Sequence, residues 1–106
     1  MAKYLFQGNY SSEGVKGLLK EGGTSRRTAV EKLVKSLGGM VEAFYYAFGD
    51  VELYFIADLP DNASAAACVL TANASGAGVI KTTVLMTPEE LDAAVKKTPT
   101  YRPPGQ

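Results

Sequence analysis

The stretch YYAFGDVELYFIADLPD, from Tyr45 to Asp61, decides the fold because it predicts two adjoining strands of an antiparallel hairpin. Aromatic and apolar residues stand on both sides of a central Gly49-Asp50 pair. This pair suits a tight two-residue turn in which Gly49 takes a positive φ angle. Both faces of the hairpin are apolar, so the sequence raises the question of what covers the second face.

Two further strands are predicted outside the hairpin. All four strands are rich in aromatic and β-branched residues, which suit the pleated, half-buried surface of a sheet. They are KYLFQGNY at residues 3–10, MVEAFYYAF at 40–48, VELYFIAD at 51–58 and VIKTTVLM at 79–86.

Helices are predicted between and after the strands from capping residues and apolar spacing. Ser11 or Ser12 caps a first helix that contains Gly14 and Gly17, and each glycine costs about 1 kcal/mol relative to alanine. The second helix is RRTAVEKLVKSL at residues 26–37, which is capped by Thr24 or Ser25 and ended by Gly38-Gly39. The third is ASAAACVLTANAS at residues 63–75, which is capped by Asp61 or Asn62. The fourth is TPEELDAAVKKT at residues 87–98, where Thr87 and Glu90 form a capping box.

The resulting order β-α-β-β-α-β-α indicates an α+β protein with the ferredoxin-like, or split βαβ, topology. Four antiparallel strands would carry helices on one face, and the capping-box helix would be an addition at the C-terminus. We expect residues 1–98 to form one domain and the proline-rich residues 99–106 to form a tail.

The sheet face that the helices leave free is also predicted to be apolar. Strand alternation assigns a helix-facing set and a free-face set. The helix-facing set is Tyr4, Phe6, Val41, Ala43, Tyr45, Val51, Leu53, Phe55, Ile80, Thr82 and Val84, and the free-face set is Leu5, Gln7, Asn9, Glu42, Phe44, Tyr46, Glu52, Tyr54, Ile56, Lys81, Thr83 and Leu85. Because a large apolar patch marks an interface, we expect a second copy to pack sheet against sheet. The alternative is that the last helix or the tail folds over this face within one chain.

Composition narrows the classes of function. Lysine plus arginine and aspartate plus glutamate both number 11, so the net charge is zero and favours neither nucleic acid nor anionic membranes as partners. The chain has no histidine, which excludes histidine-dependent catalysis, histidine-ligated haem and most zinc sites, and we expect no metal and no cofactor. A single cysteine, with no signal peptide and no membrane-spanning run, indicates a cytoplasmic protein.

Three features resemble the GYD-domain family: Tyr10 at the entry to the first helix, Leu37-Gly38-Gly39 at the end of the helical region, and the hairpin that runs into Leu59-Pro60-Asp61. The resemblance covers residues 4–90 and implies a bacterial protein of the dimeric α/β-barrel type. The family's hairpin pattern is glycine, any residue, tyrosine, aspartate, whereas this chain has Gly-Asp-Val-Glu at residues 49–52. The resemblance therefore implies a fold and self-association but no particular activity.

Glu52 is the candidate catalytic residue, because a carboxylate on an apolar strand can act as a general base if a partner buries it. Lys81 and Tyr54 are its expected neighbours, and the alternative places Glu52 at a solvated rim of the sheet. Together with Tyr10 and Tyr46 these residues form the predicted ligand-binding set, since tyrosine combines apolar bulk with a polar tip. The alternative is that the tyrosines are core and interface residues.

Two other features have a simple structural interpretation. GGTSRR, residues 22–27, places Arg26 and Arg27 at a helix start, where they oppose the helix dipole unless an anion is near. The phosphate-loop spacing is absent, so a solvated turn is the simpler interpretation. Cys68 lies among alanines and is expected to be a buried, unreactive thiol.

Three functional hypotheses remain open at this point. The first is an oligomeric module that binds a small, largely apolar ligand. The second is a cofactor-independent oxygenase or isomerase acting on small aromatic substrates, with Glu52 and tyrosines as its site. The third is a purely structural homo-oligomer.

Overall fold

A computed structural model describes residues 1–106 and has the predicted α+β architecture with four strands and four helices. The helical region before the hairpin is split in two. The elements are β1 (Ala2–Tyr10), α1 (Ser12–Glu21), α2 (Gly23–Ser36), β2 (Met40–Tyr46), β3 (Leu53–Leu59), α3 (Asn62–Ala74), β4 (Gly78–Leu85) and α4 (Pro88–Lys96).

Helix starts follow the local capping signals in three of the four helices. The Ser11 side chain accepts from the Gly14 N–H at the start of α1. The Asp61 carboxylate accepts from the side chain and backbone of Ser64 at the start of α3, and these bonds lower the pKa of Asp61. Thr87 forms the predicted capping box in α4. Each of these three helix starts is therefore determined by hydrogen bonds between residues only three positions apart.

The start of α2 differs from the prediction. Neither Thr24 nor Ser25 caps this helix, which begins one residue after Gly22 and has no side-chain cap. Gly22 has a φ angle of 84°, and its N–H closes the last turn of α1 on Leu18. One glycine therefore ends α1 and starts α2.

The four-stranded sheet is antiparallel in the order β2-β3-β1-β4, as the ferredoxin-like topology requires. Its helix-covered face carries the core, where the Phe6 and Phe55 rings stack with centroids 4.7 Å apart. The buried apolar residues of the core are Tyr4, Phe6, Val34, Leu53, Phe55, Ala57, Leu59, Ala65 and Cys68.

An irregularity in β2 overturns part of the predicted register. The pairing with β3 shifts between Val41 and Ala43, so the residues that follow exchange faces. Phe44 lies opposite Phe55 and packs against the core, with ring centroids 5.7 Å apart. The prediction that Phe44 and Tyr46 lie on the free face is therefore wrong. Both belong to the helix side.

The free face keeps an apolar character with different members. Ala43 and Tyr45 replace Phe44 and Tyr46, because they pair with Ile56 and Tyr54. At one end, Lys3 donates to Glu42 and Asp58, and these hydrogen bonds raise the pKa of Lys3. In the described register the free face carries Lys3, Leu5, Gln7, Asn9, Ala43, Tyr45, Tyr54, Ile56, Asp58, Val79, Lys81, Thr83 and Leu85.

The hairpin connection is longer than predicted. Residues 47–52 form the loop, and Gly49 does not adopt a positive φ angle, so the two-residue turn is wrong. The Ala47 N–H donates to the Glu52 carbonyl and closes the loop at its base. Phe48 is fully exposed at this end of the sheet.

The C-terminal segment extends away from the body. All residues of α4 and of the tail at 97–106 are exposed, so the alternative in which they fold over the free face is wrong. The radius of gyration is 17.1 Å, against about 13 Å for a compact domain of this length. None of the helices has the length and apolar character needed to cross a membrane.

A candidate ligand-binding cleft

A cleft of about 310 Å³ opens on the helix side of the sheet. It lies between α2 and α3, above the end of β1 and the start of β4. Its lining residues are Gly8, Asn9, Tyr10, Arg26, Ala29, Val30, Leu33, Leu53, Thr71, Ala72, Ser75, Ala77, Gly78 and Ile80. The cleft is largely apolar and carries a small number of polar groups, as small-molecule sites do.

Local sequence builds the walls of this cleft. Arg26, Ala29, Val30 and Leu33 follow the i, i+3, i+4, i+7 spacing and therefore share one face of α2. The facing wall comes from small side chains of α3. Gly8 lies below them as part of the sheet surface, where a side chain would take up space. The small residues of α3 and β1 thus leave an open volume, and α2 lines that volume with apolar side chains.

Tyr10 lines the cleft and is half-buried. Burial raises its pKa to about 12, and the neighbouring Tyr46 and Glu52 add to this rise, whereas the Arg26 guanidinium opposes it. Its phenol therefore stays protonated at neutral pH and can donate a hydrogen bond. It is a poor general base under these conditions.

Tyr46 joins Tyr10 on the helix side, as the shift in β2 dictates. Its hydroxyl donates to the Gly23 carbonyl over 2.9 Å at the start of α2. The ring packs edge-on against Phe44, with centroids 5.4 Å apart. Tyr46 thereby ties the edge strand to α2 and fixes one side of the region around Tyr10.

Glu52 has a backbone-binding role at the end of the sheet. One carboxylate oxygen accepts the Tyr10 N–H over 2.8 Å, and the Glu52 N–H donates to the Gly8 carbonyl and the Asn9 side chain. These bonds continue the pairing of β1 past Leu53, the first residue of β3. The carboxylate thus helps to hold Tyr10, one of the lining residues, in place.

The predicted ligand-binding residues fall on two sides of the sheet. Tyr10, Tyr46 and Glu52 come together near the cleft. Tyr54 and Lys81 flank Gln7 on the free face, with the sheet between them and the two tyrosines of the helix side. The expected neighbourhood of Glu52, Tyr54 and Lys81 is therefore not formed within one chain.

Sequence reasoning missed the cleft residues of α2. The apolar stripe of this helix predicted only that a helix forms. In the structure Val34 is fully buried, whereas Val30 and Leu33 are partly buried and line the cleft. The available signal was a cation at the head of that stripe, opposed to the helix dipole. In the structure Arg26 contacts Glu21 at 3.4 Å and Arg27 contacts Glu31 at 3.9 Å.

The side chains are not arranged as a metal site, and the one thiol is not in an activated environment. No cluster of three or more carboxylate or cysteine groups is placed to hold a metal ion. Cys68 is buried in α3, and burial raises the pKa of its thiol. The prediction of a buried thiol at this position is confirmed.

Residues 4–95 match the family model described as GYD domain. No curated protein and no solved structure matches the chain.

Proposed function

This chain belongs to the GYD-domain family, and we propose that it is a cytoplasmic binding module that holds a small, largely apolar molecule between α2 and α3. The observation that carries this proposal is the cleft of about 310 Å³, which is within the size range of small-molecule sites. Its few polar groups can orient a ligand, while its apolar side chains bury the ligand's apolar part. The free thiol of Cys68 supports a reducing compartment.

Binding is favoured over catalysis because the candidate bases are engaged or mismatched. The Glu52 carboxylate accepts a backbone N–H, and the Tyr10 phenol titrates near 12. A general base works best when its pKa lies near the operating pH. The raised pKa of Tyr10 does not meet that requirement, and the carboxylate of Glu52 is already engaged by the backbone N–H of Tyr10.

Filling the cleft is expected to abolish binding of a neutral apolar dye. Ala29 lies on the α2 wall, so Ala29→Phe would occupy the cleft with its ring. We expect wild-type protein to bind N-phenyl-1-naphthylamine at micromolar concentrations and Ala29→Phe to bind it at least about tenfold more weakly. Fluorescence titration measures both affinities.

The matched control is Ala66→Phe, which enlarges an exposed alanine of α3 away from the cleft. It should leave dye affinity within about twofold of wild type. Equal binding by wild type and Ala29→Phe would contradict the proposed site, and a loss confined to Ala66→Phe would do the same.

A second proposal concerns assembly: we propose that a second copy covers the free face and receives α4. The observation that favours it is α4 itself, a helix of nine residues with every residue exposed. Isolated helices this short are marginal in water, so α4 needs a surface to pack on. Its apolar residues Leu91 and Val95 are four positions apart and are 56% and 74% exposed.

Exposed apolar surface and unpaired charge on the free face support a second copy as that partner. Tyr45 on this face is 69% exposed, and Lys81 forms no ion pair within the chain. The carboxylate of Asp92, three positions before Val95 on α4, is also unpaired. One chain therefore offers both an acidic, apolar helix and an apolar face with a free cation. A two-fold arrangement of two copies would satisfy both pairs of surfaces at once.

A further inference from the structure

The one charged side chain that lines the cleft is positive. Arg26 is the single ionisable cation among the lining residues, and no carboxylate lines the cleft. Its guanidinium stands at the head of the apolar stripe formed by Ala29, Val30 and Leu33. A ligand that follows this stripe would meet apolar side chains along its body and a cation at one end.

The guanidinium has bonding capacity left for such a ligand. Its contact with Glu21 is a single N–O distance of 3.4 Å between side chains that are 37% and 47% exposed. Exposed pairs of this kind contribute little, because water and salt screen them. Arginine has five N–H donors in a planar fork that matches a carboxylate in a bidentate contact.

The position of Arg26 gives a second reason to expect an anion. It lies in the first turn of α2, where the positive end of the helix dipole disfavours a cation. The first turn of α2 contains no acidic residue to offset it. A bound negative charge beside Arg26 would interact favourably with both the guanidinium and the helix terminus.

Tyr10 lines the same cleft, and its hydroxyl is influenced by the charge of Arg26, so it supplies a neutral donor to the same site. Its hydroxyl carries its proton at neutral pH, as the raised pKa requires, so it can donate to an anion without repelling it. A doubly charged phosphate would leave charge unpaired against one arginine and apolar walls, which is unfavourable in a partly buried site. A group with one negative charge fits this arrangement better.

We infer that the cleft selects a monocarboxylic acid with a small aliphatic or aromatic body, whose carboxylate pairs with Arg26 while the body lies along α2. This inference rests on the proposed binding function and adds the chemical class of the ligand. The neighbouring Arg27 lacks this role, because it lines a separate groove beside Phe44, Tyr45 and Tyr46.

The test is displacement of N-phenyl-1-naphthylamine by octanoate and by 1-octanol, which share a chain length and differ in the head group. Wild type should prefer octanoate by about tenfold. Arg26→Gln should reduce that preference to about twofold or less, while Arg27→Gln, which also removes one surface cation from α2, should retain it.

Each outcome separates the two levels of the proposal. Failure of wild type to bind dye, octanoate or octanol would overturn the binding function and the inference with it. Dye displacement by octanol as effective as that by octanoate would leave the binding function standing and overturn the carboxylate preference. Equal loss of preference in Arg26→Gln and Arg27→Gln would also overturn it, since general surface charge would then explain the effect.

Discussion

Gly14→Ala is expected to destabilise the fold by about 2–4 kcal/mol, although alanine is the better helix former by about 1 kcal/mol. Gly14 is buried in α1 against the connection between α3 and β4. An added methyl group would overlap the Ala77 carbonyl oxygen and approach the Tyr10 ring to 3.0 Å. The obstructing atom belongs to the backbone of Ala77, which cannot rotate out of the way as a flexible side chain can. The helix α1 must therefore shift to make room for the methyl group.

Movement of α1 would break the bonds that hold its first turn. The Ser11 N–H donates to the Ala77 carbonyl over 2.9 Å, and the Ser11 hydroxyl donates to the Gly76 carbonyl over 2.7 Å. Each such bond contributes about 1 kcal/mol. Because Ala77 and Tyr10 also line the cleft, dye binding should weaken in the same variant.

Gly17→Ala is the matched control, since it makes the same change three residues later in α1. An added methyl at Gly17 meets no atom within 4 Å. This variant should gain up to about 1 kcal/mol from helix propensity and reduced flexibility of the unfolded chain. Urea unfolding measures both free energies, and a Gly14→Ala protein as stable as Gly17→Ala would refute the assigned contact.

If two copies associate as proposed, placing two charges on α4 is expected to dissociate them. In the double variant Leu91→Glu and Val95→Glu, the two apolar residues of the projecting helix become carboxylates. Burial of each side chain at an interface is worth about 1.5–3 kcal/mol, so their combined loss should raise the dissociation constant at least about 100-fold. Light scattering across a dilution series gives the subunit number.

The control for this variant is Ala93→Glu, on the opposite side of α4 from Leu91 and Val95. It adds charge to the same helix and should leave the subunit number unchanged. The fold itself should survive in both variants, because α4 is exposed and contributes nothing to the core. Unchanged assembly in the double variant would rule out α4 as a contact element.

Features that depend on a few neighbouring residues could be predicted from the sequence. The capping box of Thr87 and the caps at Ser11 and Asp61 lie within four residues of the groups they satisfy. Strand identity and the split βαβ order likewise follow from local pattern and turn residues. The prediction of the family is confirmed by the match over residues 4–95.

Register and site could not be predicted, because both depend on contacts between distant elements. Both faces of β2 are apolar, so nothing in its alternation reveals the shift after Val41 that moves Phe44 and Tyr46 to the helix side. Gly14 was predicted only as a propensity cost, because its contact with Ala77 spans the chain. Arg26 and Tyr10 line the same cleft only because α2 packs on the helix side of the sheet near the end of β1.

Native mass spectrometry of the protein purified from its own host tests the central proposal, a self-associating module that carries a small ligand, most directly. We expect a dimer or larger assembly with a small molecule retained in the native spectrum and released on unfolding. A monomer with no added mass would contradict both the assembly and the ligand.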